Sequence, residues 1–312
     1  MTEQSATTDD PTYPDTIRVL DKGFVKILAS MGNDEAIANA ARISYQKGTR
    51  QVSEDRTLIR YLIRNQHWSP VEQVQIQFQV KCPIFVARQW FRHRTISINE
   101  QSARYSIMED EFYLPDEAVM QPQSAINKQG RSGELDAMSK KGVAWLIRTA
   151  YEQAYKAYDV LLGERENADD FYDPYGTDPL LSADYPGVSR EIARMVLPVG
   201  LYTEFVFSVN LRNLFHLLKL RLDQHAQYEI RVFAEALFAL IKPRFPLATE
   251  AFEDYVQNAV TLSRMEMALL RTHFDIREFE MSMRQIGHDA ASYGAKFGLT
   301  KREMNDFMSR FG

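Results

Sequence analysis

Apolar and polar residues alternate strictly along one segment of the chain. It is VEQVQIQFQVKCP, residues 71–83, in which Val74, Ile76, Phe78 and Val80 fall on one side of an extended chain and glutamines fall on the other. Side chains of a strand point alternately to the two faces of a sheet. The pattern therefore predicts a half-buried β-strand.

Two further segments have weaker strand patterns. Residues 17–32 contain apolar patches separated by Asp-Lys-Gly, which predicts a strand, a turn and a second short strand. Residues 202–210, YTEFVFSVN, predict one more strand.

Other segments repeat their apolar residues at the three- and four-residue spacing of a helix. One begins at the cap residues Asn33 and Asp34, and another carries Glu54 and Asp55 in its first turn, where carboxylates stabilise a helix. Further helices are predicted at 83–94, about 135–165, 188–198, 211–222 and 224–245, and across most of 250–312. The helix at 135–165 has an apolar stripe formed by Val143, Leu146, Ile147, Ala150, Tyr151, Ala154 and Tyr158.

The elements together predict a single mixed α+β domain with helical additions. Residues 1–16 are acidic, polar and contain proline, and are predicted to be a disordered tail. Residues 120–134 are polar and without pattern, which favours a mobile loop, and residues 166–187 form a turn-rich insertion.

Composition narrows the classes of function. The chain has 312 residues, 45% of them hydrophobic, which is enough for a large core, and its formal net charge is -5. A protein that binds nucleic acid over its whole surface is usually basic, so we expect no nucleic-acid partner. Local positive charge in an acidic protein suggests a small anionic ligand instead.

The chain also carries little sign of export or membrane insertion. No apolar run approaches the roughly 20 residues that span a bilayer, and the N-terminus lacks the apolar region of a secretory signal. Cys82 is the single cysteine, which excludes an intrachain disulfide and a cysteine-rich zinc site. We therefore expect a cytoplasmic protein that does not bind membranes.

Charge is concentrated in RHRTISINEQSARYS, residues 92–106, which contains three arginines, a histidine, a glutamate and three serines. If the preceding helix extends to residue 94, Gln89, Arg92 and His93 share one face. If the following residues are extended, Glu100, Ser102 and Arg104 project to the same side. Hydroxyls and planar guanidinium groups suit phosphate oxygens.

A solvated, salt-bridged turn is the commoner explanation of such a composition. Trp90, Phe91, Ile96, Ile98 and Tyr105 interleave the charges, however, and this favours a half-buried segment. Buried guanidinium groups need partners, and a single glutamate cannot serve three arginines.

The segment resembles the signature of the flavin-dependent thymidylate synthases, which is Arg-His-Arg, seven residues and then serine. The segments 65–73, 189–198 and 209–230 resemble that family in the same order along the chain. The resemblance covers about residues 17–245, which it identifies as the catalytic domain, and leaves 246–312 as a helical C-terminal extension.

The resemblance implies a fold, an assembly and a reaction. The fold is α+β, with a central antiparallel sheet flanked by long helices and extra helices at the C-terminus. The assembly is a homotetramer with shared active sites. Family members methylate dUMP to dTMP, with 5,10-methylenetetrahydrofolate as carbon donor, FAD as hydride carrier and NADPH as reductant.

The resemblance also implies roles for individual residues. The residues expected to hold dUMP are Gln89, Trp90, Phe91, Arg92, Glu100, Gln101, Ser102, Ala103, Arg104, Arg194 and Arg221. The residues expected to hold FAD are Ser44, Ser69, Arg92, His93, Arg94, Glu100, Asn210, Leu211, Arg212 and His216. The two catalytic residues are Arg221 and His67.

The role of Arg221 has a physical rationale. A fixed guanidinium beside the uracil ring would stabilise negative charge on N3 and its neighbouring carbonyl, which makes the ring carbon more nucleophilic. His67 resembles the histidine near flavin and folate, although its spacing alone favours a helix C-cap. Glu191, three residues before Arg194, is expected to orient that guanidinium.

Some residues keep two interpretations. His225 and Glu229 have the spacing of a metal site, but a structural hydrogen-bonded cluster is favoured, and no metal is expected. Cys82 precedes a proline at the end of a strand and is expected to be a packed thiol rather than a nucleophile. The chain has no G-x-G-x-x-G motif, so flavin binding rests on the resemblance.

Two other functions remain open at this point. The same arginines and aromatic residues would suit a non-catalytic nucleotide- or RNA-binding protein. A flavin reductase that consumes NADPH without methylating a nucleotide is the other alternative.

Overall fold

A five-stranded antiparallel sheet forms the centre of the computed structural model, which describes residues 15–43, 54–126, 128–164 and 185–311. The strands are β1 Thr16–Val19, β2 Gly23–Met31, β3 Gln75–Pro83, β4 Ser97–Glu100 and β5 Tyr202–Asn210. Their order across the sheet is β1-β2-β3-β5-β4, and every neighbouring pair is antiparallel. The predicted α+β class and central antiparallel sheet are confirmed.

The buried face of β3 follows the sequence pattern. Val74, Ile76, Phe78 and Val80 are almost completely buried, whereas the intervening glutamines are exposed or half-buried. Phe78 stacks on Phe207 of β5 with ring centroids 5.0 Å apart. The middle strand is therefore specified by period-two alternation, and its register places the aromatic residues of β5 in the same core.

Helices cover the sheet and extend the chain beyond it. They are α1 Asp34–Arg42, α2 Asp55–Arg64, α3 Ile84–Trp90, α4 Ala137–Leu162, α5 Arg190–Ala193, α6 Leu211–Arg221, α7 Tyr228–Ile241, α8 Pro246–Phe252, α9 Arg264–His273, α10 Ile276–Gln285, α11 Ala290–Ala295 and α12 Lys301–Met308. Side-chain caps fix several starts: Asn33 accepts from the backbone N–H of Ala36, and Asn210 accepts from that of Asn213. No helix among the described residues is long and apolar enough to cross a membrane.

The charged segment departs from its predicted conformation. Helix α3 ends at Trp90 rather than reaching residue 94, and the N–H of His93 bonds back to the carbonyl of Trp90 at 3.0 Å. β-Branched residues after Arg94 disfavour another helical turn, so the chain turns and then enters β4. The predicted common helix face of Gln89, Arg92 and His93 is therefore wrong.

The extended stretch also ends earlier than predicted. Strand β4 ends at Glu100, and residues after it form a turn in which the carbonyl of Ser102 accepts from the N–H groups of Tyr105 and Ser106. Ser102 and Arg104 do not continue the alternation of the strand, so their predicted projection beside Glu100 along one strand face is wrong.

Helix α4 divides into a packed end and an exposed end. Its C-terminal part contributes Tyr158 to a second, smaller core, whereas Val143, Trp145 and Leu146 near its start are exposed. The predicted apolar stripe is therefore buried by this chain only along its second half.

The last helices are joined to α2 by a buried ionic cluster. Arg60 is 2% exposed, and its guanidinium donates to Glu303 of α12, to Glu250 of α8 and to Asp254. Tyr255 accepts a further hydrogen bond from Arg60 at 2.8 Å. The predominantly helical C-terminus is as predicted. Most of the predicted tail at 1–16 and of the insertion at 166–187 lies outside the described residues.

Candidate functional site

A cavity of about 680 Å3 opens beside the turn that follows β4. It brings together six of the predicted nucleotide-binding residues: Phe91, Glu100, Gln101, Ser102, Ala103 and Arg194. They come from the C-terminal end of α3, from the end of β4 with the turn that follows it, and from the helical segment at 190–196, so the fold assembles them from three separate parts of the chain. Below, this space is called the signature cavity.

Hydrogen bonds position two of the residues that line the signature cavity, Glu100 and Ser102. Glu100 accepts a hydrogen bond from the Thr203 hydroxyl of β5 at 2.8 Å. The hydroxyl of Ser102 accepts from the backbone N–H of Arg104 at 3.3 Å. Thr203 is almost completely buried and lines the cavity, and so the glutamate is anchored from the neighbouring strand.

Two arginines and two glutamates, Glu100 and Glu191, are the charged residues that line this space. Arg88 and Arg194 line it and are exposed, and their guanidinium groups make no hydrogen bond or ion pair with another residue in the described parts of the chain. Glu191 contacts Arg104, with an N–O distance of 3.3 Å, rather than orienting Arg194 as predicted. Two guanidinium groups are consequently available to an anion in the cavity.

A second group of predicted residues meets at the end of α6. Arg221 donates from Nε to Nε2 of His93 at 3.1 Å and from Nη2 to the backbone carbonyl of Gln89 at 3.2 Å. Neither Arg221 nor Gln89 is among the residues that line the signature cavity. One chain thus separates the predicted nucleotide-binding residues into two groups.

The electrostatics of the His93–Arg221 pair follow from burial. His93 is 8% exposed, and burial, together with the nearby Arg221 and His216, lowers the pKa of its ring to about 4. Burial also lowers the pKa of the Arg221 guanidinium. His93 is therefore neutral near pH 7, and its Nε2 accepts from Arg221 while the proton stays on Nδ1.

A smaller groove of about 230 Å3 is formed beside α6. Arg212 and His216, both predicted to contact flavin, line it together with Arg64, Trp68 and Lys219. Of the three cationic side chains in this groove, Arg64 is paired with Asp306 and Arg212 lies 3.7 Å from Glu72, while their remaining N–H groups and Lys219 can donate to an anionic group.

The loop between α2 and β3 carries two further predicted residues, His67 and Ser69, both exposed. The His67 ring lies edge-on to Tyr61 with centroids 5.7 Å apart, and the backbone N–H of His67 donates to the carbonyl of Leu62 at 2.8 Å. The backbone of His67 therefore closes the end of α2, while the ring remains accessible.

The remaining predicted residues differ in accessibility. Trp90 and Leu211 are core residues and are almost completely buried. Arg92 and Arg94 are exposed, and Asn210 caps α6. Ser44 lies outside the described residues.

The two residues with alternative interpretations have separate surroundings. Glu229 is 4% exposed and accepts from Tyr113, Gln227 and Arg131, whereas His225 is exposed and contacts Asp223. Among the residues that the structure describes, no group of three or more histidine, cysteine or acidic side chains is placed to hold a metal.

Cys82 is fully buried, and burial raises the pKa of its thiol. The prediction that it is a packed thiol is confirmed.

Sequence reasoning missed several residues around these sites. Arg88 of α3 precedes Phe91, the C-cap of that helix, by three residues, and a helical projection would have placed both on one face. The contact between Thr203 and Glu100 depends on the pairing of β4 with β5, which no local pattern reveals. A cavity of about 870 Å3 between residues 118–131 and 224–231 was not predicted either.

Comparison with known proteins gives a consistent result. The family model described as "Thymidylate synthase complementing protein" matches residues 26–247. A flavin-dependent thymidylate synthase of Rickettsia conorii is 41% identical over 95% of this chain and 93% of the relative. One from Thermus thermophilus is 46% identical over 88% of this chain and 92% of the relative.

Solved structures show the same likeness. The UMP/dUMP methylase PolB from Streptomyces cacaoi, bound with 5-Br UMP, aligns with a TM-score of 0.63 and 32% identity, covering 78% of this chain and 99% of that chain. The same methylase bound with 5-Br dUMP aligns with a TM-score of 0.62 and 31% identity, covering 77% of this chain and 99% of that chain.

Proposed function

The chain belongs to the thymidylate synthase complementing protein family, the flavin-dependent thymidylate synthases, and on that premise we propose that it methylates dUMP to dTMP. The proposed carbon donor is 5,10-methylenetetrahydrofolate, and the proposed cofactor is FAD, for which NADPH would be the reductant. The observation that carries the proposal is the signature cavity, which gathers the serine of the Arg-His-Arg-x7-Ser motif with cationic side chains.

The signature cavity suits a nucleotide monophosphate. The guanidinium groups of Arg88 and Arg194 offer planar N–H donors, and Ser102 offers a hydroxyl. Phe91 and Ala103 provide apolar surface beside them. A dianionic phosphate and a pyrimidine ring require this combination of charge and apolar contact.

The chemistry at the base is assigned to Arg221. Its guanidinium is held at two points, by His93 and by the carbonyl of Gln89, so little reorganisation is needed when charge develops on the uracil. Burial lowers the pKa of this guanidinium, yet the group stays charged near pH 7 because the usual pKa of arginine lies far above neutrality. Arg221 thus stabilises the electron-rich ring that accepts the carbon.

The residues of the smaller groove fit a flavin nucleotide. Arg212, Lys219 and Arg64 would hold its phosphates, and His67, His216 and Trp68 lie at the same groove or on the adjoining loop. When bound, FAD supplies the hydride that completes the methyl group. Cys82 is not required, since its buried thiol reaches neither the cavity nor the groove surface.

Shared active sites would reunite the two groups of nucleotide-binding residues. Gln89 and Arg221 of one subunit would face the signature cavity of another, as the proposed homotetramer allows. The exposed apolar residues at the start of α4 favour such an assembly, because a patch of this kind marks an interface.

An assay of methyl transfer tests the proposal. Purified protein is incubated with dUMP, methylenetetrahydrofolate and NADPH, with and without added FAD, and dTMP is quantified by chromatography. We expect FAD-dependent dTMP formation. Oxidation of NADPH without dTMP would indicate a flavin reductase, and nucleotide binding with neither reaction would indicate a binding protein; either result contradicts the proposal. UMP is assayed in parallel, since the solved relative is a methylase of both nucleotides.

A further inference from the structure

A chain of hydrogen bonds runs from a buried carboxylate to Gln89. Glu229 accepts from Nε2 of Gln227 at 2.8 Å, and Oε1 of Gln227 accepts from Nε2 of Gln89 at 2.6 Å. The backbone carbonyl of Gln89 in turn accepts from Arg221 at 3.2 Å. Below, Glu229, Gln227 and Gln89 are called the amide relay.

The carboxylate at the start of the amide relay is held as an acceptor. Glu229 is 4% exposed, and Arg131 and the Tyr113 hydroxyl both donate to it at 3.3 Å. Arg131 is itself anchored to the carbonyl of Val119 at 2.7 Å. Burial and the neighbouring Glu229 raise the pKa of Tyr113, so its hydroxyl keeps the proton that it donates.

The orientation of both amides follows from this starting point. An ionised carboxylate only accepts hydrogen bonds, so Gln227 must turn its NH2 group towards Glu229. The carbonyl oxygen of Gln227 then faces Gln89, and Gln89 must donate a hydrogen bond to it from its own NH2 group. The Oε1 atom of Gln89 is left over, and it has no hydrogen-bond partner in the described parts of the chain.

We infer that Glu229 is a positioning residue, which acts through Gln227 so that Gln89 presents a carbonyl oxygen to the nucleotide. The inference rests on the proposed function, because it takes Gln89 as a nucleotide contact. The group recognised is a hydrogen-bond donor of the nucleotide, either the N3–H of uracil or the 3′-hydroxyl of the sugar. In a pyrimidine with a lone pair on N3, that lone pair would face the Oε1 atom of Gln89. Two acceptors would then repel each other, so such a nucleotide would be disfavoured.

The inference also gives the segment that contains Arg131 a role. Through Arg131 it fixes the position of Glu229, although the segment contributes no residue to the signature cavity. Replacing any member between Arg131 and Gln89 should therefore affect nucleotide recognition from a distance.

Two substitutions and one control test the relay. Gln227→Met removes both amide bonds at an exposed position, and Glu229→Gln removes the charge that sets the orientation. Glu235→Gln removes one carboxylate from the same helix but outside the relay, where Glu235 contacts Arg231. Steady-state KM and kcat for dUMP are measured for each variant with FAD, folate and NADPH saturating.

We expect KM for dUMP to rise roughly three- to tenfold in Gln227→Met and Glu229→Gln, as for one lost hydrogen bond, with a smaller change in kcat. Glu235→Gln should match the unsubstituted protein. Because Glu229 is buried, Glu229→Gln could fail to fold, and Gln227→Met then carries the test alone.

Nucleotide analogues separate positioning from a general structural effect. The dissociation constants of dUMP, N3-methyl-dUMP and 2′,3′-dideoxy-UMP are measured by calorimetry for the unsubstituted protein, Gln227→Met and Glu235→Gln. For each protein, the dissociation constant of an analogue is divided by that of dUMP, and this ratio is the penalty for the analogue. For the analogue that lacks the recognised donor, the penalty should be roughly three- to tenfold smaller in Gln227→Met than in the unsubstituted protein, and unchanged in Glu235→Gln. Unchanged penalties for both analogues, or an unchanged KM, would overturn the relay. Absence of dTMP formation by the unsubstituted protein would instead count against the proposed function.

Discussion

The guanidinium of Arg221 owes its position to a histidine that cannot easily be protonated. Were His93 charged, its Nε2 would carry a proton and repel the Arg221 Nε–H that it now accepts at 3.1 Å. Burial is the main reason that the pKa of His93 falls to about 4. In the Arg-His-Arg motif, His93 therefore holds Arg221 in place, whereas Arg92 and Arg94 on either side of it are exposed.

Removing the guanidinium tests the role of Arg221. Arg221→Ala should lower kcat about 10²- to 10³-fold, as for the loss of one preorganised donor to a developing oxyanion. The measurement is dTMP formation at saturating dUMP, with thermal unfolding to verify folding. Arg231→Ala, on the next helix and paired with Glu235, is the control and should retain its rate. A near-normal kcat for Arg221→Ala would contradict the assignment.

The lowered pKa of His93 predicts a pH dependence of stability. The unfolded chain takes up the proton near pH 6.5, whereas the folded chain takes it up near pH 4. The stabilisation is therefore complete above pH 6.5 and is lost as the pH falls to about 4, by up to about 3 kcal/mol.

His93→Gln keeps an acceptor for Arg221 but does not titrate in this range. Between pH 6.5 and 4, urea unfolding should show the unsubstituted protein losing more stability than His93→Gln. Parallel stability curves for the two proteins would show that His93 titrates normally in the folded state.

Ser102 tests the signature cavity itself. Ser102→Ala should raise KM for dUMP roughly three- to tenfold through the loss of one hydroxyl hydrogen bond. It should not abolish turnover, because no base beside this hydroxyl would activate it as a nucleophile. Ser106→Ala, in the same turn but not lining the cavity, is the matched control. Equal KM and kcat for the two variants would remove Ser102 from the site.

At the scale of elements, a strong periodic pattern was enough to locate a helix or strand from the sequence. Short segments with a mixed pattern did not show where an element ends. Strand β3 and helices α1, α2 and α6 lie where alternation, helical spacing and caps predict them. Helix α3 and strand β4 end early because the turns that stop them depend on local backbone bonds and on pairing with β5. The family resemblance supplied the residues predicted for the site, but their division into two groups required the three-dimensional arrangement.

Contacts between distant helices were beyond the sequence patterns. Nothing in the period of α2 indicates that Arg60 meets α8 and α12, since those partners lie 190 and 243 residues away along the chain. Burial raises the pKa of Glu303, but hydrogen bonds from Tyr255, the Thr300 backbone and Arg60 outweigh it and lower the pKa to about 2. The C-terminal helices are thus attached to α2 by a charged pair buried on both sides.

Breaking that pair should destabilise the protein. Glu303→Gln leaves the buried Arg60 short of one charged partner, and we expect a loss of about 3 kcal/mol in the free energy of unfolding. The measurement is urea unfolding at pH 7, with Glu280→Gln on the exposed face of α10 as control. A loss below about 1 kcal/mol would mean that Glu250 and Asp254 suffice for Arg60. In the unsubstituted protein this contribution should disappear as the pH falls from about 4.5 to about 2.

At the scale of the whole molecule, the chain leaves surface that an assembly would cover. Trp145 and Leu146 of α4 are 66% and 62% exposed, although the sequence places them on a helix with an apolar stripe. Symmetric oligomers commonly bury such patches against copies of themselves. The exposed apolar residues of α4 therefore support the proposed homotetramer, in which another subunit would cover them.

A charged substitution on α4 tests this assembly. Trp145→Glu should shift the protein to smaller species in sedimentation velocity, because a carboxylate would be buried without a partner in the interface. dTMP formation should fall with it if the active sites are shared. Met281→Glu, which replaces an exposed apolar residue of α10, is the control and should sediment as the unsubstituted protein does. Unchanged sedimentation of Trp145→Glu would place the interface elsewhere.

The burial of the single cysteine makes it a reporter of motion in the sheet. Cys82 is paired with Thr203 across β3 and β5, and its thiol is inaccessible while those strands remain together. Alkylating reagents can label it only when the strands separate, so the rate of labelling measures the opening of the central strand pair. Since Thr203 also lines the signature cavity, an occupying nucleotide should slow that labelling.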